Sequence, residues 1–361
     1  MKRLLFPLAI YGLASSPIAF ADEVNETPKN LSKLITNFTP AMPLDEGRIQ
    51  PKYPYDMAAR GKEGWARVSF VVNKEGKVEH VTVVEHSGEK AFAKAAKSAI
   101  KKWKYKPATE NGEKVDSCQN LVQMDFKMDD GGVSSSFLNE YKKATQALSE
   151  SDTTLAKQHI DVLVGKEKKR YSEQHYLNLL LLQYGAQVND QALLTKAALD
   201  TDHNKKGVPK PYAMFILNEK LTHATAESKL DKALRYIDEM SQLTDDEARL
   251  NGINKAETKI LALIESDKII GVKGETNNNS TWWHTPVRNQ FSIIENTHDI
   301  HKLDIRCENN WSTYSFTKES SWKIPSSWHG CQVLVYTEPN ATFTFVEHPY
   351  SNPETQAKVS N

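Results

Sequence analysis

Between Trp65 and Phe126 the hydrophobic period of this chain changes from two to about 3.6 and back to two, and few folds satisfy that order. Over residues 65–72, Ala66, Val68, Phe70 and Val72 take one face of a strand, with Arg67 and Ser69 on the other. A turn ending in Gly76 leads into the valine-rich stretch 77–84, predicted as the second strand of a hairpin. Ser87 and Gly88 break the chain. Over 89–102, Phe92, Ala95, Ala96, Ala99 and then Trp103 recur at helical spacing. Pro107 ends that segment, Asn111-Gly112 marks a turn, and Val122, Met124 and Phe126 alternate inward in a third strand over 120–126. The expectation is strand, strand, helix, strand, preceded by a short helix over 54–60, with the Phe92–Trp103 stripe covering one face of the sheet. Trp65, Phe92, Trp103, Tyr105 and Pro107 are read as structural, Trp103 closing the stripe and Tyr105 and Pro107 fixing the exit. Tyr53 stands before Pro54, which disfavours helix at the preceding residue and favours an extended approach.

A chain of 361 residues is long for one domain, so two or three are expected. At the N-terminus, Lys2 and Arg3 precede an apolar run over 4–20 that is broken by Pro7, Gly12 and Pro17, and Ala19-Phe20-Ala21 fits a small-x-small cleavage site. Residues 1–21 are read as a signal peptide, with an uncleaved inner-membrane anchor as the alternative; export places the chain in a Gram-negative periplasm. Residues 22–47, with Pro28, Pro40 and Pro43 and no strong periodicity, are read as linker. Residues 134–265 are helical, with seven apolar-periodic segments whose starts near 137, 171, 209 and 247 recur at the period of stacked helix pairs. A tetratricopeptide-like array and a plain helical bundle both fit this region.

Residues 270–361 hold five of the seven tryptophans, Trp282, Trp283, Trp311, Trp322 and Trp328, and short strand patterns over 291–295, 302–306, 313–317, 332–337 and 342–346. A small antiparallel β domain is expected, with Cys307 and Cys331 as plausible disulfide partners that would stabilise it by ~3 kcal/mol. Cys118 is left over, as a buried or free thiol or as one end of a long-range bridge. The tryptophans are either core residues or a flat aromatic surface for glycan or cell-wall binding.

Net charge is zero, which points to neither nucleic acid nor a membrane surface, although residues 45–128 carry sixteen Lys and Arg against twelve Asp and Glu. Lys90, Lys94, Lys97, Lys101, Lys102, Lys104 and Lys106 form a basic band, read as a solvated helix face or as an attraction for an acidic receptor or cell-wall polymer. Chemical motifs do not emerge. His80 and His86 on one strand would stand roughly 20 Å apart at ~3.3 Å per residue, too far to share an ion. His298 and His301 lack a helical setting or a third ligand. There is no Gly-rich phosphate loop, no Gly-x-Ser-x-Gly and no Cys-x-x-Cys. No catalytic residue, metal site or cofactor is expected.

Taken in order, Gln50-Pro51-x-Tyr53-Pro54, Ala58-Ala59, Gly61, Gly64, the first strand, Gly76, the second strand, Ser87-Gly88, the alanine-rich helix, Trp103-x-Tyr105-x-Pro107, Asn111-Gly112 and the last strand resemble the C-terminal domain of the TonB family over about residues 48–128. The resemblance implies an α+β multidomain chain: a TonB C-terminal-like β-β-α-β domain over 48–130, then the all-α, TPR-like region, then the small antiparallel β domain. It implies an interaction protein and not an enzyme, acting in energy-coupled transport across the outer membrane. Domains similar to this receive an extended peptide, the TonB box of an outer-membrane receptor, as an added strand on an open sheet edge. Carried onto this sequence, the partner-binding residues are Gln50, Pro51, Tyr53 and Pro54 before the domain, and Leu121, Val122, Gln123, Met124, Asp125, Phe126 and Lys127 on the last strand. The partner is a TonB-box-like segment of a receptor or of another envelope protein. An inner-membrane motor complex is implied only for a transducer proper, and residues 1–25 lack the His that such transducers use. A long Pro-rich spacer is also missing.

Overall fold

A computed structural model describes residues 38–350 apart from 45–46, 129–131, 167–169, 206 and 277–279. The signal-peptide and anchor readings of 1–21 lie outside the described residues. Two short strands open the described chain, β1 (Phe38–Thr39) and β2 (Met42–Pro43), followed by α1 (Tyr55–Ala59). Then come β3 (Gly64–Val72), β4 (Val78–His86), α2 (Lys90–Ile100), β5 (Tyr105–Lys106), β6 (Ala108–Glu110), β7 (Glu113–Val115) and β8 (Ser117–Phe126). β3 is central in an antiparallel sheet of order β4-β3-β8. On one face Ala66, Val68, Phe70, Val72, Met124 and Phe126 pack against Phe92, Ala96, Ala99, Ile100 and Trp103. The alternation of β3 and the helical stripe of α2 meet in that single cluster.

Three details differ from the sequence reading. α2 ends at Ile100, so Trp103 closes the stripe from beyond the helix. Trp65 lies on the opposite face, outside the cluster, beneath the Arg67 guanidinium. The expected linker over 22–47 is too long at its far end, because β1 pairs with β6 and β2 with β5. The 105–110 stretch offers an open ladder, and the incoming chain takes it before reaching the domain.

Among the described residues seven helices follow: α3 (Ser135–Ser149), α4 (Thr153–Val164), α5 (Tyr171–Val188), α6 (Gln191–Leu199), α7 (Lys210–Ala226), α8 (Leu230–Ser241) and α9 (Glu247–Glu265). Their starts are chemically set. Ser134, Asp152, Asp190 and Asp246 each accept a hydrogen bond from the main chain three residues on. Each helix packs on the one before it, and α3 also reaches α5.

Among the described residues the last region has eight strands: β9 (Ile270–Glu275), β10 (Thr281–His284), β11 (Gln290–Ile294), β12 (Ile300–Arg306), β13 (Trp311–Ser315), β14 (Ser321–Lys323), β15 (Gln332–Thr337) and β16 (Thr342–Glu347). They form two antiparallel sheets, β10-β15-β12-β13 and β14-β11-β16-β9. Cys307 and Cys331 are joined by a disulfide, whereas Cys118 is an unbridged, buried thiol. The core between the sheets, with Val272, Phe291, Leu303, Ile305, Val333 and Phe345, runs without a break into Leu217, Leu230, Ile237 and Ile260 of the last helices.

The outer face of the β10-β15-β12-β13 sheet is covered by the first domain. Ser69 and Val71, on the β3 face turned away from α2, are buried. The fully buried Arg306 donates to Ser69 Oγ and Thr82 Oγ1, both at 3.2 Å, and pairs with Asp304 at 2.9 Å. Tyr336 and Thr82 are joined through their hydroxyls at 3.1 Å, and the His80 ring lies 4.0 Å from that of Trp311. The helix α2, the first sheet and the sandwich are therefore stacked layers.

Candidate functional site

With one face of the β4-β3-β8 sheet under α2 and the other on the sandwich, its borders are what remain. The direction of their main-chain groups follows from Trp65. Its carbonyl accepts from Ser87 N–H and its own N–H donates to Ser87 Oγ, so Trp65 faces β4. Residues alternate along a strand, so Gly64, Ala66, Val68 and Phe70 face β8. Their partners Phe126, Met124, Val122 and Asn120 turn their main-chain groups inward. Leu121, Gln123 and Asp125 turn theirs outward. All three are exposed, and among the described residues no backbone group pairs with them.

Among the described residues, this chain closes only the start of the border. Cys118 N–H donates to the Glu308 carbonyl at 3.3 Å, and burial pushes its thiol up to about 12, so it offers no thiolate. The register of β3 with β8 is unbroken from Gly64 to Phe70, whereas that with β4 shifts twice and His80 sits at φ 49°. An irregular border resists added strands and a regular one admits them.

Side chains organise the open stretch. Arg67 holds Glu85 at 2.8 Å and donates to Gln123 Oε1 at 3.0 Å; Gln123 donates to Asp125 at 2.9 Å, and Lys127 pairs with Asp125 at 3.1 Å. At the far end the helical region stands beside the border. Glu63 accepts from the Tyr171 N–H, and the Lys127 and Lys205 ammoniums lie 4.5 and 5.1 Å from the Tyr171 ring. Tyr171 and Lys205 escaped the sequence reading because only tertiary packing brings them to β8.

Before the domain, the structure sets the Gln50–Pro54 motif on the side of the core cluster. Trp103 Nε1 donates to the Ile49 carbonyl at 2.8 Å. Tyr53 donates to the Lys62 carbonyl at 2.5 Å, and its ring meets those of Phe92 and Phe126 edge-on. Tyr53 thus serves the core, with Pro51 and Pro54 partly buried around it. Gln50 is exposed, and no hydrogen bond joins it to β8 among the described residues. Gly76, at φ 79°, abuts the Tyr105 carbonyl.

The tryptophans are engaged within the chain. Trp282 packs on His284, Phe343 and Phe345, and Trp283 lies under the Lys232 ammonium. Trp311 meets His80, Trp322 stacks between Phe291 and Phe316, and Trp328 packs on the core.

The family profile described as Gram-negative bacterial TonB protein C-terminal matches residues 49–128. Protein TonB of Klebsiella pneumoniae is 32% identical over 66 residues, which are 18% of this chain and 27% of that protein. Protein TonB of Escherichia coli is 33% identical over 60 residues, 17% of this chain and 25% of that protein. The chain thus spans about a quarter of the length of these curated relatives. The solution NMR structure of the Pseudomonas aeruginosa TonB CTD is similar at 27% identity, over 25% of this chain and 89% of that one, with a TM-score of 0.23.

Proposed function

From the premise that residues 49–128 are a TonB C-terminal domain, we propose that this chain is a periplasmic docking protein of energy-coupled outer-membrane transport. It receives an extended TonB-box-like segment, of an outer-membrane receptor or another envelope protein, as a strand beside β8. The observation that carries this reading is the outward main-chain row of Leu121, Gln123 and Asp125, regular in register and without a backbone partner among the described residues. Backbone pairing supplies the affinity, so little of the visitor's sequence is specified. Gln50 is the residue that the family assigns to the visitor, and Lys127 with Tyr171 bounds the far end of the groove. The sequentially packed helices α3–α9 are the proposed dock for a second protein. A glycan-binding role draws no support from the five tryptophans, whose rings are occupied within the chain.

The test is a calorimetric titration with a synthetic peptide spanning a receptor TonB box. Gln123→Pro removes an outward donor and leaves the inner ladder intact, and affinity is expected to fall about tenfold, the equivalent of one hydrogen bond and its desolvation. Met124→Pro removes a donor to β3 and is expected to unfold the sheet instead. Unchanged affinity for Gln123→Pro with a native circular-dichroism spectrum would sink the proposal. Mass spectrometry of the exported chain addresses its address: a mature N-terminus at Asp22 is expected, and retention of residues 1–21 would favour an inner-membrane transducer.

A further inference from the structure

Between Lys90 and Lys106 there are seven lysines and no acidic residue. α2 sets Lys90, Lys94 and Lys97 on one stripe, which Lys101 continues, turned away from the buried Phe92, Ala96 and Ala99. The stripe runs for roughly 17 Å at 1.5 Å per residue. Lys102, Lys104 and Lys106 follow it and are exposed. Among the described residues no carboxylate pairs with any of the seven; the adjoining Glu89 is engaged by Lys62 at 3.3 Å.

A second observation accompanies the charge. Met42, Leu44 and Ile49 are 57%, 47% and 51% exposed, large values for apolar side chains. Backbone pairing brings them to the same end of α2. Met42 is opposite Lys106, the Leu44 N–H donates to the Lys104 carbonyl at 3.1 Å, and the Ile49 carbonyl is held by Trp103. The Arg48 guanidinium lies over the Trp103 ring at 5.2 Å. Three bare apolar residues thus stand beside Arg48, Lys104 and Lys106.

A soluble polyanion is satisfied by cations alone. Exposed apolar residues set among cations gain only where an apolar phase lies directly behind the negative charge, and an anionic bilayer has that layering. We propose that this face docks on an anionic lipid surface, with the lysines at the headgroups and Met42, Leu44 and Ile49 at the acyl boundary. The site is independent of the β8 border, so either proposal stands if the other fails.

The experiment is cosedimentation of the full chain with phosphatidylcholine vesicles, with and without phosphatidylglycerol. Each lysine brought to the surface is expected to strengthen binding roughly fivefold, so partition into the anionic vesicles should exceed that into neutral ones by ~100-fold or more and weaken with salt. Lys94→Glu, Lys101→Glu and Lys102→Glu together should abolish that preference. Met42→Ser with Leu44→Ser should weaken binding about tenfold through lost apolar burial. Both variants should keep a native circular-dichroism spectrum and their peptide affinity at β8. Equal partition into the two vesicle types overturns the proposal. So does undiminished binding by the lysine variant, which would trace attachment to residues 1–21. Retention on isolated cell wall, lost with the lysines but indifferent to Met42 and Leu44 and without vesicle binding, overturns it in favour of a polymer-binding face.

Discussion

Gly76 shows how a single residue ties a sequence motif to the fold. At φ 79° it turns the β3–β4 hairpin, and a Cβ placed there would meet the Tyr105 carbonyl oxygen at 2.0 Å. The same residue accepts the Tyr105 N–H at 2.9 Å, so hairpin and post-helix segment are locked together. Gly76→Ala is expected to cost at least ~1–2 kcal/mol from the left-handed backbone alone, plus the displacement of Tyr105, and urea denaturation measures it. Asp304 carries a second expectation. Burial by itself would raise its carboxyl, but hydrogen bonds from Thr313, Arg306 and Tyr336 outweigh burial and hold it below its ordinary 3.8. A depressed carboxyl contributes stability that is complete above the unfolded value and lost as pH falls through the folded one. The urea midpoint should therefore drop on acidification below about pH 4. Asp304→Asn should start lower and depend less on pH in that range; identical pH profiles would dismiss the role.

At the scale of elements, periodicity was a good guide where a segment had one buried face. β3 and α2 were legible because Ala66 to Val72 and Phe92 to Ala99 each commit alternate or third-and-fourth residues to a single cluster. The seven helices were legible from their helical spacing too, although α5 and α7 each feed two clusters, and Asp190 and Asp246 marked two of the starts. What escaped were strands of almost no length, β10, and β9, whose third inward position is Gly274 and so carries no hydrophobic signal. β1, β2 and β5 are two residues each, and a pair of residues carries no period. β10 contains Trp282 and Trp283 in succession, one facing the core and the other the helices, so no alternation is visible. The β8 border was legible as a strand but not as a bounded groove, because Glu308 and Tyr171 come from distant elements. The caps make their own prediction. Asp190→Ala removes the acceptor for the Leu193 N–H at 3.0 Å and should lower stability by about 1 kcal/mol, with Asp190→Asn restoring most of it. Equal midpoints for the alanine and native chains would show that packing alone sets the start of α6.

Over the whole molecule the decisive fact is that the first sheet is covered on both faces, by α2 on one and by the sandwich on the other. Ser69, Thr82 and His80 meet Arg306, Tyr336 and Trp311 of the sandwich, whose core is continuous with the last helices. Nothing in the alternation of β3 announces this, since Ser69 and Arg67 read as a solvated face until the second sheet is in place. The arrangement has an energetic consequence. Arg306 is fully buried and shares Asp304 with Lys302, whose ammonium stands at 3.2 Å, so removing the guanidinium leaves that carboxylate with one cation at a cost expected below the ~3–5 kcal/mol of an uncompensated buried charge. Arg306→Met should therefore destabilise the sandwich, and because the same guanidinium reaches Ser69 and Thr82, it should also loosen the first sheet. Hydrogen exchange followed by mass spectrometry separates these effects. Faster exchange is expected in β3 and β4 of the variant as well as in β12 and β15, whereas α3 and α4, which pack elsewhere, keep their protection. If exchange accelerates only in β12 and β15, the layers are energetically separate and a visitor at β8 would leave the sandwich unaffected. If it accelerates in all four strands, the two layers open as one unit, and a strand docked at β8, as proposed, would be coupled through β3 to the rest of the chain.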